Sequence, residues 1–197
     1  MDLVLASGNA GKLVELRELL GDSALTLHAQ SEFGVGDVEE TGATFIENAL
    51  LKARHAARQT GRPALGDDSG LCVEALGGAP GLFSARYGGV HGDAERNIAR
   101  LLGEMRGIPE ARRGARFYCV LVLLRAADDP QPIIAEGEWR GAILEAPRGT
   151  GGFGYDPVFL DPENACSAAE LDPAVKNLIS HRGRALAALR QRLSGFA

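Results

Sequence analysis

The chain has 197 residues and a formal net charge of −5, with 45% hydrophobic and 24% charged residues. That length supports a sizeable core, in one domain or two packed lobes, without disulfides or metal staples. The acidic balance and dispersed basic residues argue against a nucleic-acid-backbone binder, and no apolar run approaches the roughly 20 residues that span a bilayer.

In chain order, residues 2–6 read as a short apolar strand, and 11–20 as a helix with Leu13, Leu16 and Leu20 on one face. A second strand is expected at 25–30. The helix over 44–59 has the clearest signal: Thr44 and Glu47 form a capping box, and Phe45, Ala49, Ala53 and Ala56 follow at helical intervals. Residues 64–66 and 71–75 read as short extended pieces on either side of an acidic turn. A helix capped by Asp93 covers 93–106, with Ile98, Leu101 and Met105 inward. Residues 116–125 form the most apolar segment, a central strand. Residues 133–144 are extended and more polar, with Gly137 and Gly141 at bulges or close approaches. Ser180 caps a last helix with Leu186, Leu189 and Leu193 on its core face. The alternation of strands and helices predicts an α/β protein on a mixed sheet. Cys72, Cys119 and Cys166 are odd in number and lack CxxC spacing, so no disulfide framework is expected. Cys72 and Cys119 read as small buried hydrophobes. Met1-Asp2-Leu3-Val4 lacks the basic region of a signal peptide, so a cytoplasmic protein is expected.

Several segments carry more chemistry than a plain domain requires. Ser7-Gly8-Asn9-Ala10-Gly11-Lys12 follows a strand and opens a helix, where backbone amides and the helix dipole favour an anion. Lys12 opposes that dipole, which suggests an anion between the lysine and the amides. The GxxxxGK[ST] spacing of a P-loop is absent. Glu39 and Glu40 repel each other unless a metal or a cation relieves them. Asn48 and Lys52, four apart, share a helix face. Gly66-Asp67-Asp68-Ser69-Gly70 offers hard oxygen ligands suited to Mg²⁺, with a second carboxylate available as a base. Residues 149–157 surround Phe153, Tyr155 and Asp156 with glycines, giving rings to stack on a base and a carboxylate to accept ring N–H groups. Lys176, His181 and Arg182 place cations near the start of the final helix.

The segments SGNAGK, EETGATFIENALLKARHAA, GDDSGLCVEALGGAPGLFSARYGG, GGFGYDPVF and SHRGRAL, in this order, closely resemble the inosine-triphosphate pyrophosphatases, also called non-canonical purine NTP pyrophosphatases. The resemblance runs from Leu5 to Leu189. Ser7 stands where threonine is frequent, and Gly66 where a larger residue is common, which is expected to loosen the strand end. The resemblance implies one domain over 1–197 with an elongated, two-lobed fold and the active site in the cleft between lobes. It implies Mg²⁺-dependent hydrolysis of dITP, ITP or XTP to monophosphate and pyrophosphate, and a homodimer. It assigns the triphosphate to Ser7, Gly8, Asn9, Ala10, Gly11 and Lys12, and makes Asp68 the general base and a metal ligand. Glu39 or Glu40 completes the metal site, Ser69 contacts substrate, and Lys52 and Arg86 neutralise phosphate. Phe153, Gly154, Tyr155, Asp156, Lys176, His181 and Arg182 form the base pocket. The rival readings are a pyrophosphatase of modified pyrimidine nucleotides and a nucleotide-binding module without catalysis.

Overall fold

The computed structural model describes residues 2–21 and 25–193; residues 1, 22–24 and 194–197 of the expected domain lie outside the described residues. The chain divides into two compact units, one within Met1–Asp68, Cys119–Gly137 and His181–Ala197, the other within Ser69–Tyr118 and Glu138–Ser180.

The first unit is organised by side-chain alternation along its strands. β1 (Asp2–Ala6) pairs in parallel with β2 (Thr26–Ala29) and β3 (Ala64–Val73). Leu3 and Leu5 point to one face of the sheet, and Val4 and Ala6 to the other. Helices α1 (Ala10–Leu20) and α5 (His181–Leu193) cover the leucine face with Leu16, Leu20, Ala185, Leu186 and Leu189. Helix α2 (Phe45–Thr60) covers the other, packing Ala56 and Ala57 against Val4, Ala6 and Ala64. The Thr44 hydroxyl accepts the Glu47 N–H at 3.2 Å, and the Glu47 carboxylate accepts the Ala43 N–H at 2.8 Å. The expected box is therefore present, closed one residue further out than its usual form.

The second unit carries α3 (Ala94–Glu104), β6 (Phe159–Asp161), β7 (Cys166–Ser167) and α4 (Pro173–Ile179). Its core gathers Leu71, Leu101, Met105, Phe117, Trp139, Tyr155 and Phe159, with the Phe117 and Phe159 rings 4.6 Å apart. Asp93 caps α3 by accepting the Arg96 N–H at 3.1 Å. β4 (Gly114–Leu124) and β5 (Ile133–Ile143), with β3, have residues in both units. The seven strands are ordered β2-β1-β3-β4-β5-β6-β7, and β5–β6 and β6–β7 are antiparallel. The sheet is mixed, as expected.

Four expectations change. The acidic segment is not a turn: Asp67 and Asp68 lie inside β3, which runs unbroken from Ala64 to Val73. Gly66 does not loosen the strand. A Cβ there would stand 2.1 Å from the Ala49 carbonyl oxygen, so the missing side chain is what lets the α2 backbone lie against β3. Ser180, extended between α4 and α5, stands at the N-cap position of α5, as expected, but α4 itself was not anticipated. Its signal was present: Asp172 accepts the Ala174 N–H at 2.8 Å, and Pro173 stands at the first helical position. Cys72 is half-buried rather than buried. Gly137 and Gly141 are close approaches: a Cβ would meet the His181 carbonyl oxygen at 2.0 Å and that of Leu160 at 2.2 Å.

Gly66→Ala forces α2 off the strand. We expect it to cost about 1–3 kcal/mol, typical of overpacking, read as a lowered thermal midpoint.

Candidate functional site

Consecutive residues in a strand face opposite sides, so β3 sends Asp67 towards the α1–α5 face and Asp68 towards α2. Each aspartate meets a lysine from the helix on its own side. Lys52 of α2 donates to Asp68 Oδ1 at 2.8 Å and to Glu40 Oε1 at 2.8 Å. Glu40 reaches that position because the segment before α2 is pinned down. The Gly42 N–H donates to Asn48 Oδ1 at 2.8 Å, one helical turn before Lys52. Glu39, its neighbour, is exposed. Of the two expected carboxylates, Glu40 is the one that joins Asp68.

Burial pushes the Asp68 carboxyl above the usual aspartate range, and the Lys52 ammonium only partly offsets it. Burial works against the Lys52 charge, but Asp68 and Glu40 outweigh it and hold the ammonium above its ordinary value. Two carboxylates around one cation, one of them with raised basicity, make a site able to accept a proton and to bind further positive charge.

On the other face, Asp67 is fully buried. It accepts from the Lys12 ammonium, from Arg182 Nε at 3.0 Å and from the Cys119 thiol at 3.5 Å. Arg182 also donates to Glu15 of α1. Burial alone would raise the Asp67 carboxyl, but Lys12 and Arg182 hold it well below the usual range. The anion that accommodates Lys12 in the first turn of α1 is therefore a carboxylate of the protein. The rest of that loop is open. Asn9 caps α1 by accepting the Lys12 N–H at 3.1 Å, and Ser7 accepts the Asn9 N–H at 3.2 Å. Ser7, Gly8, Asn9 and Ala10 line a pocket of about 300 Å³, together with Gln30, Ser31, Gly36 and Asp37. Gln30, Asp37, Glu15 and Asp67 were missed as partners of this region, because the contacts that place them are long-range.

The second unit holds its own cluster. Asp156 Oδ2 accepts the Phe153 N–H at 2.8 Å and the Lys176 ammonium at 2.7 Å. Lys176 also lies 5.3 Å from the Phe153 ring centroid. Phe153 is exposed, whereas Tyr155 is buried and donates its hydroxyl to the Ser84 carbonyl at 2.9 Å. Of the two expected rings, only Phe153 has a face open to a ligand. Arg86 lies over the Phe83 ring at 5.1 Å, and Ser69 is half-buried on β3. Gly154 has φ of 62°, which supports the sharp turn between the two rings. His181 and Arg182 are buried at the start of α5 in the first unit. Arg182 is thus tied to Asp67 and Glu15, and Lys176 to Asp156 and Phe153.

Among the described residues, no group of three or more His, Cys, Asp or Glu side chains is placed to hold a metal. A complete protein cage is not what Mg²⁺ requires. It uses one or two carboxylates and fills its remaining positions with water and phosphate oxygens. Asp68 and Glu40, already converging on a cation, fit that donor set.

The Ham1 family model matches residues 3–192. A dITP/XTP pyrophosphatase of Xanthomonas campestris is 65% identical over 195 residues, covering 99% of this chain and 98% of that one. A HAM1 protein of Coxiella burnetii has a similar structure, with a TM-score of 0.90, 50% identity and 99% of each chain covered. The Ham1 protein of Staphylococcus aureus gives a TM-score of 0.87 at 37% identity over 100% of both chains.

Removing one partner of a buried ion pair leaves an uncompensated charge. Asp156→Ala, which strands Lys176, is expected to cost about 3–5 kcal/mol and to lower the thermal midpoint accordingly.

Proposed function

Because the chain belongs to the Ham1 family, we propose that it hydrolyses non-canonical purine nucleoside triphosphates (dITP, ITP and XTP) to the monophosphate and pyrophosphate. The name of the Xanthomonas relative supports the dITP and XTP part of this reading. The observation that carries the chemistry is Asp68 and Glu40 sharing the Lys52 ammonium.

In this reading the attacking water gives its proton to Asp68, whose burial-raised carboxyl is a better base than an exposed aspartate. Lys52, held by two carboxylates, keeps its charge and stabilises the phosphate oxygens as negative charge develops. Asp68 and Glu40 would hold Mg²⁺, which when bound neutralises phosphate charge as a Lewis acid. The amides of Ser7, Gly8, Asn9, Ala10 and Gly11, with Lys12, bind the polyphosphate at the start of α1. Ser69 and Arg86 contact substrate. No covalent intermediate is required.

The base is read by Phe153, through stacking, and by donors that favour a 6-oxo acceptor. His181 and Arg182 are the proposed donors, with Lys176 a further cation of the pocket. With adenine the same groups would face an amine in place of an acceptor, which discriminates against it. Asp156 and Gly154 shape the loop that presents Phe153. We further propose a cytoplasmic homodimer forming one domain of two lobes. No helix among the described residues is long and apolar enough to cross a membrane.

A panel of dITP, XTP and the four common dNTPs tests the substrate. We expect turnover of dITP and XTP to dominate, and equal turnover of dTTP would defeat the reading. Asp68→Asn is expected to lower kcat by at least ~10²-fold, the low end for a positioned base. Chelation of divalent cations should abolish hydrolysis; full activity in excess chelator would remove the metal from the reading.

A further inference from the structure

Asp67 stands next to the proposed base but faces away from it, and the reaction as described does not use it. We propose that Asp67 is a positioning residue: it holds the Lys12 ammonium at the glycine loop, so that the loop presents a fixed cation to an incoming polyphosphate. This rests on the reading of residues 7–12 as the polyphosphate loop.

Four side chains form a chain of alternating charge. Lys12 pairs with Asp67, Asp67 with Arg182, and Arg182 with Glu15. Glu15 lies three residues beyond Lys12 on α1, so the chain begins and ends on one helix face. Side-chain exposure is 13% for Lys12, 0% for Asp67, 2% for Arg182 and 13% for Glu15. Lys12 and Glu15, the two partly open members, stand on the helix that begins at the loop; the two sealed members lie beneath them. The Cys119 thiol donates to Asp67 from β4 at 3.5 Å and fixes the carboxylate from a third element.

A buried ion pair is a poor way to gain stability, since apolar residues of the same volume often do as well or better. What the pair supplies is geometry. A lysine carries its charge on a flexible four-carbon stem, and the positive end of a helix dipole repels it. Left alone, Lys12 would turn into solvent. Asp67 lies between Lys12 and Arg182 and screens each from the other. Without its charge the two cations repel, and Lys12 is the one with a path to water.

The test is a double-mutant cycle on Asp67→Asn and Lys12→Ala. It is read by calorimetric binding of inorganic tripolyphosphate and by KM and kcat for dITP. With Lys12 present, Asp67→Asn should weaken tripolyphosphate binding and raise KM by roughly 10-fold, while kcat changes by less than about 3-fold; in the Lys12→Ala background it should add less than about 2-fold to either. Asp67→Glu keeps the charge but displaces it by a methylene. It should stay folded and still weaken tripolyphosphate binding, and it decides the matter if the asparagine variant does not fold. Equal effects with and without Lys12 would overturn the proposal. So would a lowered melting temperature with unchanged tripolyphosphate affinity, or a lowered KM. Should the wild-type protein bind tripolyphosphate with this coupling but fail to cleave dITP, the proposed activity fails and the positioning role stands.

Discussion

The arrangement depends on a two-residue period. Side chains along a strand alternate between faces, so two adjacent aspartates in β3 cannot share a surroundings. Asp67 enters the layer between the sheet and α1 and α5, and Asp68 enters the layer beneath α2. Each layer answers with a lysine. A slip of one residue in the pairing of β3 with β1 would exchange the two carboxylates, and every apolar neighbour would change face with them. The same alternation that buries Leu65 therefore decides which aspartate is sealed with Lys12 and Arg182 and which meets Lys52.

The two carboxylates differ in kind because their neighbours differ in balance. Asp67 has Lys12 and Arg182 beside it, and their attraction outweighs burial. At Asp68 burial, with a slight addition from Glu40, outweighs the attraction of Lys52, and the proton affinity of the carboxylate rises. Divergent environments of this sort separate a permanently ionised group from one suited to proton transfer. The second unit shows the sealed type again, in Lys176 and Asp156, where a single oxygen holds both the ammonium and the Phe153 amide.

Much of this was legible in the sequence where the signals are local. The capping residues Thr44 and Asp93 act within three positions, and the short apolar run of β1 and the helical spacing of α2 mark those elements. The aspartate pair was recognised, but its flanking glycines suggested a turn, whereas Gly66 answers to a helix backbone packed across the sheet. Lys12 was read as facing an anion between it and the loop amides; its partner in the structure is Asp67, 55 residues away, which tertiary pairing alone places there. Glu39 and Glu40 are chemically identical in sequence. The structure separates them: Glu40 accepts from Lys52, whereas Glu39 is exposed. Tyr155 and Phe153 likewise looked equivalent until the carbonyl of Ser84 claimed the tyrosine hydroxyl.

The contact at Gly66 bears on how this protein can change. Lys52 is carried on a helix whose distance from β3 is fixed by main chain against main chain, with Ala49 and Ala53 supplying the nearest atoms at Gly66. Repacking of side chains elsewhere in the core cannot easily move that helix inward or outward. Sequence drift in the apolar layers is thereby decoupled from the lysine's position. In a library randomised at residues 49, 53 and 66, the survivors would be confined to the smallest side chains, while the exposed Ile46 and Arg58 on the same helix would vary widely.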